Sequence, residues 1–375
     1  MYLFEKQIKS DSAFFFYRGR VALYAILKSM DIGQGDEIII QAFTCIAVPE
    51  PIIKIGAVPI YVDINSQTYS ANASLIEQKI NQLTKAIIVQ HTYGIPADVD
   101  NILAIAKKYR LFVIEDCCHS IGSVYKKQMI GAFSDASIYS FEWGKPLIIG
   151  LGGCAIVHNK NILNKMRIIY NTFTYPPVTD IWRIHMQYIL YKIIFRPCAF
   201  WTIRRLYRTF SKLGLVIGTF KFNQSSITSS ADYNKKMSLF HKHLLMKKIK
   251  ELDQDFRRRK IFASFYAKYL NKAGIKSLYA PAHCQTVLLR YPLMCKNKEN
   301  ILSLAKKKRI ELTTWYDSAI HPLNEKDFHF VKYIQGSCPN AEKTARSVVS
   351  LPMHDRVTLK QIKKTVAFLK NANII

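Results

Sequence analysis

Acidic residues are scarce in this sequence: 26 Asp and Glu stand against 54 Lys and Arg in 375 residues, a formal charge of +28. A chain that basic prefers anionic partners. No CxxC pair occurs, and the eight cysteines, adjacent Cys117 and Cys118 among them, form no closely spaced even framework. That excludes a disulfide scaffold and a structural zinc site and favours a reducing cytoplasm. The N-terminal stretch carries Glu5 and Lys6 and lacks the uninterrupted apolar core of a signal peptide. In the aromatic-rich stretch 181–220 the longest apolar runs are broken by Lys192 and Arg196, so none spans a bilayer. No internal repeat or low-complexity tract is present. With 49% hydrophobic and 21% charged residues the composition is that of a folded body with room for two or three domains, not of a disordered basic tail.

What is present is an alternation. Short runs rich in β-branched residues recur at 37–41, 58–63, 85–90, 111–115, 136–141 and 154–158, separated by amphipathic stretches such as 22–30 and 99–109. The runs are apolar throughout rather than alternating, as burial on both faces of a parallel sheet requires. The pattern predicts an α/β fold, a three-layer mostly parallel sheet of at least six strands, followed by a smaller C-terminal α+β domain. The expected division is a large domain over 1–245 with a basic, aromatic-rich helical insertion at about 165–232, and a small domain over 246–375. Between Lys160 and Lys250 there are 17 Lys and Arg against two acids, Asp180 and Asp232. Two readings of that stretch stand open. It either lies on an anionic membrane surface as a basic amphipathic element, or forms a helical pair with its aromatics in the core and its charges in solvent.

In such sheets ligands bind beyond the carboxyl ends of the strands, so polar residues there are site candidates. Asp116 in VIEDCCHS follows a buried strand; it either caps the next helix or serves chemistry. Lys145 in YSFEWGKPLIIGLGG sits in an apolar, glycine-flanked loop, where desolvation frees an amine to act as nucleophile or base. Gly19, Arg20 and Val21 open a helix whose N–H groups suit a phosphate, and the Ser140 hydroxyl is a second donor for the same group. A phosphate cradle, a carboxylate and a Schiff-base lysine together are what pyridoxal 5'-phosphate requires.

The sequence resembles the DegT/StrS-type family of fold-type-I, pyridoxal-phosphate-dependent sugar aminotransferases. The likeness runs from about Gly19 to Val366 through GRVAL (19–23), the block at 35–64, TKAIIVQHTYGIPADVD (84–100), VIEDCCHSIG (113–122), YSFEWGKPLIIGLGG (139–153), YNKKMS (233–238), ELDQDFRRR (251–259) and SLPMH (350–354). The resemblance implies that Lys145 binds the cofactor aldehyde, Asp116 partners the ring nitrogen and His119 lies near the ring and its hydroxyl. It also implies that Gly19, Ser140 and the backbone of Arg20 and Val21 hold the phosphate, with Asn234 reaching in from the other subunit of a homodimer. The departures are local. Arg20 replaces a hydroxyl residue beside the phosphate, Cys45 stands where a larger group packs on the ring, and Lys236 replaces an arginine in Asn234-Lys235-Lys236. Lysine at 145 argues against the dehydratase branch, which has histidine there.

The family implies transfer of an amino group from L-glutamate to a nucleotide-linked keto-sugar, for a polysaccharide, lipopolysaccharide or glycoside. His91, Tyr93, Lys236, Trp315, Tyr316 and His321 are further substrate-site candidates; the alternative for strand-end His91 and Tyr93 is packing under a loop, and Trp315, Tyr316 and His321 are equally at home as packing residues. Buried Cys117 and Cys118 are expected to behave as small apolar side chains. Peripheral contact with the inner face of an anionic membrane is expected from the local charge, and no specific nucleic acid partner is, since no recognition motif occurs. The competing view is a basic regulator or membrane-surface scaffold that keeps the fold without catalysis.

Overall fold

Ile38 and Ile40 pack under one layer of helices while Ile39 packs under the other, which is why an unbroken apolar run makes a strand here. The computed structural model describes residues 2–214, 216–217, 232–278 and 281–372. Its central sheet contains β1 (Ala13–Phe16), β2 (Glu37–Gln41), β3 (Val58–Val62), β4 (Thr84–Gln90), β5 (Phe112–Asp116), β6 (Ala136–Ser140) and β7 (Gly153–Val157). The spatial order is β1-β7-β6-β5-β4-β2-β3. Strands β2 to β6 run parallel, and β7 lies antiparallel to both of its neighbours. Six of the seven strands were expected; β1, the run AFFF, completes the edge beside β7.

Helix α1 (Gly19–Ser29) covers one face of the sheet and α2 (Val99–Tyr109) the other; α3 (Lys160–Asn171) packs beside α1. Because β1 enters α1 directly and runs parallel to β6, the start of α1 lands at the same sheet edge as the ends of β4, β5 and β6.

The basic stretch forms a helical pair, α4 (Val178–Ile194) and α5 (Phe200–Lys212); residues 215 and 218–231 of the expected insertion lie outside the described residues. Its burial is only partial. Ile184 and Tyr188 are buried, but Val178, Trp182 and Ile193 are more than 60% exposed. The small domain packs α6 (Leu252–Lys272) and α7 (Leu359–Asn371) around the antiparallel pair β8 (Tyr291–Met294) and β9 (Val348–Leu351).

The expected boundary at 245 is displaced. It falls inside the helix Leu239–Ile249, whose Leu245 and Ile249 belong to the large-domain core. The cores change over along α6, where Leu252 and Phe256 join the large one and Phe262, Tyr266 and Leu270 the small one. Phe43 and Tyr93, from loops after β2 and β4, also belong to the small-domain core, so the two units share one apolar seam beside the strand ends.

Candidate active site

Asp116 is the last residue of β5 and is buried. No helix follows it; its Oδ1 accepts the Cys118 N–H at 3.0 Å, which fixes the carboxylate in a turn. Its negative charge adds to burial in pushing the Cys118 thiol and the Tyr316 hydroxyl up. Lys145, in the loop after β6, holds its Nζ 4.9 Å from the centroid of the Trp315 ring. Its charge acts on Cys45, Cys118, His119 and His321. Glu142, three residues earlier, lies 3.6 Å from Arg18 and so ties this loop to the residue that opens α1.

His119 is buried between the domains. Its Nδ1 accepts the Tyr93 N–H at 3.4 Å, which leaves Nε2 to donate to the Tyr316 hydroxyl at 3.4 Å. Burial first, then the charges of Lys145 and Arg290, hold its pKa well below the usual histidine value, so the ring is neutral. Trp315 stands 5.1 Å from it.

The phosphate side is built from close approach. No side chain caps α1, in contrast to α3, which Asn159 caps. A Cβ on Gly19 would lie 3.1 Å from that of Ser140, and a Cβ on Gly153 would lie 2.4 Å from the backbone of Arg18. Glycine at these places brings an uncapped helix start and the Ser140 hydroxyl together, an arrangement that suits a phosphate dianion. The Arg20 side chain turns to a carboxylate, and its expected phosphate role is that of its backbone. It is ion-paired with Glu50; burial opposes its charge, but Glu50 and then Glu142 outweigh burial and raise its pKa.

The remaining candidates divide. Trp315, Tyr316 and His321 are brought to the Lys145 group, and burial lowers His321 to about 4, with Asp317 only partly restoring it. Cys45 is bridged to His321 by the short parallel pair Thr44–Cys45 and Ile320–His321, so the small domain sets its position. Tyr93 acts as a strut: its hydroxyl donates to the Trp315 carbonyl while its N–H holds His119. His91, expected as a substrate-site candidate, belongs instead to the scaffold. Its Nδ1 accepts the Ala97 N–H at 3.0 Å and its Nε2 faces Glu115 at 3.2 Å, so both ring nitrogens are committed to the scaffold. Glu115 also accepts the Gly131 and Phe133 amides and the Ser134 hydroxyl, which makes the buried His91–Glu115–Cys117 group a saturated framework. Lys236 lies over the Tyr170 ring at 4.7 Å, and exposed Asn234 accepts the Thr174 N–H through its carbonyl; among the described residues no contact brings either to Lys145.

Arg290 was missed. It lies 4.9 Å from the Trp315 ring, the ring that Lys145 also approaches, and donates to Thr313 at 3.0 Å. A single charge inside the apolar run TVLLRYPL was the available signal. Arg290 and Lys145 both line a cavity of about 550 Å³.

The sequence model of the DegT/DnrJ/EryC1/StrS aminotransferase family matches residues 4–186 and 201–370. Over 147 residues, 39% of this chain and 40% of the relative, the sequence is 42% identical to GDP-perosamine synthase of Escherichia coli O157:H7. Over 355 residues, 94% of this chain and 82% of the relative, it is 27% identical to UDP-N-acetyl-3-dehydro-alpha-D-glucosamine 3-aminotransferase of Acidithiobacillus ferrooxidans. Among solved structures, NtdA of Bacillus subtilis with bound cofactor PMP has the same fold, with a TM-score of 0.72 and 22% identity over 96% of this chain and 73% of that one.

Proposed function

Since the chain belongs to the DegT/DnrJ/EryC1/StrS aminotransferase family, we propose that it uses pyridoxal 5'-phosphate to move an amino group from L-glutamate to a nucleotide-linked keto-sugar destined for a polysaccharide, lipopolysaccharide or glycoside. The observation that carries this is the convergence of Lys145, buried Asp116 and the uncapped start of α1 beside Ser140 at one sheet edge. When bound, the cofactor supplies an electron sink for the carbon that loses its proton. Lys145 would hold the cofactor at rest and, once released by an incoming amine, carry the proton at Nζ; the Trp315 face beneath it limits where the amine swings. Asp116 would set its carboxylate against the ring nitrogen, whose proton the chemistry needs. Neutral His119 orients Tyr316 without adding a further cation beside Lys145 and Arg290.

The nucleotide-linked acceptor is supported by the names of two relatives, a GDP-perosamine synthase and a UDP-sugar aminotransferase. A regulator without catalysis would have no use for a buried carboxylate whose charge acts, with that of Lys145, on Cys118. The test is spectroscopic. Glutamate should shift the absorption of the loaded protein, and one member of a panel of nucleotide-linked 3-keto and 4-keto sugars should shift it back. A protein that cannot be loaded, or shows no response to glutamate, defeats the proposal.

Two partner assignments belong to the same proposal. A homodimer with shared sites is supported by the exposure of Asn234; light scattering at the monomer mass would contradict it. Docking on an anionic membrane is supported by the exposed Val178, Trp182 and Ile193 on α4 beside the basic residues of α5. Among the described residues no helix is long and apolar enough to cross a membrane. Sedimentation with anionic but not neutral vesicles at low salt is the expected result.

A further inference from the structure

Next to the Lys145 cavity, and sharing Trp143, Gly144, Arg204 and Arg290 with it, is a second cavity of about 1210 Å³. Sites for drug-sized ligands occupy roughly 300–1,000 Å³, so an amino acid donor alone would leave most of this space empty. One wall is a single face of α5. Phe200, Arg204, Tyr207, Arg208 and Ser211 recur there at spacings of three and four, and Trp315 and His321 line the same cavity.

Like charges at i and i+4 repel and weaken a helix, yet Arg204 and Arg208 occupy those positions, and among the described residues neither forms an ion pair. Burial, then the charge of Arg208, lowers the Arg204 pKa; Asp317 offsets only part of this. The acids that share the cavity are engaged elsewhere. Asp317 lies 3.4 Å from Lys298, Glu325 accepts from Gln335, and Glu342 accepts from Tyr333 and the Gly336 amide. Two guanidinium groups face a long cavity with their own side of the charge balance unfilled. Paired arginine forks match the geometry of phosphate oxygens.

We infer that Arg204 and Arg208 of the basic helix α5 grip the diphosphate of the sugar nucleotide, so that the sugar extends past Trp315 toward Lys145; this rests on the transaminase reading above. Part of the surplus charge between residues 160 and 250 then serves substrate binding.

Calorimetric titration of the loaded enzyme with GDP, UDP and dTDP, with inorganic phosphate for comparison, tests the inference. At least one nucleoside diphosphate should bind better than inorganic phosphate and more weakly as salt rises. The Arg204→Gln/Arg208→Gln variant should weaken that binding by about tenfold or more. Arg204→Lys/Arg208→Lys, which keeps charge but loses the fork, should fall between the two, and decides the matter if the Gln pair does not fold. Unchanged affinity in the variants, no nucleoside diphosphate binding, or binding no better than inorganic phosphate overturns the inference. The glutamate response of the unmodified enzyme is read separately. If it is present and the arginines are dispensable, only the clamp fails; if it is absent, the transaminase reading fails.

Discussion

Replacing Gly153 by alanine would set a methyl group 2.4 Å from the carbonyl carbon and oxygen of Arg18 and 2.5 Å from the Gly19 nitrogen. Carbon atoms settle at about 3.5–4 Å from their neighbours, so the first turn of α1 and β7 must separate by roughly 1 Å. Both sides of the contact are backbone, and no flexible side chain can give way. Gly153 is absent from the residues with positive φ, so alanine meets no conformational penalty and the effect isolates the contact. Overpacking of this kind costs about 1–3 kcal/mol. The same shift moves the N–H groups that face the phosphate, and one charge-assisted hydrogen bond contributes about 1.5–3 kcal/mol. Cofactor affinity should therefore fall about ten- to a hundredfold. Gly33→Ala is the matched control, since nothing lies within 4 Å of its added Cβ. Titration of both apoproteins with pyridoxal phosphate, followed by absorbance, and thermal unfolding of each without cofactor would show the contrast. Equal affinity and equal melting in the two variants would refute the packing of α1 against β7 as the basis of the phosphate site.

Other expectations follow from contacts elsewhere in the fold. Arg356 donates to the carbonyls of Tyr191, Lys192 and Phe195 and so caps the end of α4; Arg356→Ala should cost about 3 kcal/mol and raise hydrogen exchange over the last turn of α4, while unchanged exchange would show the cap to be idle. Asp63 accepts the Asn340 and Ala341 amides at 2.9 and 2.8 Å, at the start of the helix Pro339–Ser347. Asp63→Asn should cost about 1–2 kcal/mol and loosen that helix selectively, again visible as exchange. Burial, and then His185, push His241 down to about 4 from 6.5. Because the unfolded chain binds the proton first, this group's contribution to stability is complete above pH 6.5 and is lost as pH falls toward 4, by on the order of 3 kcal/mol. Urea unfolding of His241→Gln at pH 7.5 and 4.5 should show a smaller acid loss than the unmodified protein shows.

The parts of the fold governed by local pattern were legible in the sequence. The run EIIIQ and the amphipathic stretch 99–109 became a strand and a helix with the expected bounds, because period and propensity act within a few residues. Asp116 and Lys145 were visible for the same reason, as polar residues at the ends of apolar runs. What escaped depends on contacts between distant segments. Nothing in AFFF distinguishes an edge strand from a helical staple, and only its pairing with β7 decides it. His91 read as a site residue until Glu115 and Ala97 claimed its nitrogens. The domain boundary shifted because α6 is continuous in sequence and changes cores midway along its length. Arg290 reaches the pocket through the packing of one domain on the other, which no local window records.

Lys145 is expected to carry the cofactor. Reduction of the loaded protein with borohydride, followed by peptide mapping by mass spectrometry, tests it most directly. A pyridoxyl-phosphate mass should be added at Lys145 and lost in Lys145→Ala; label on another lysine, or none after loading, would take the cofactor away from Lys145.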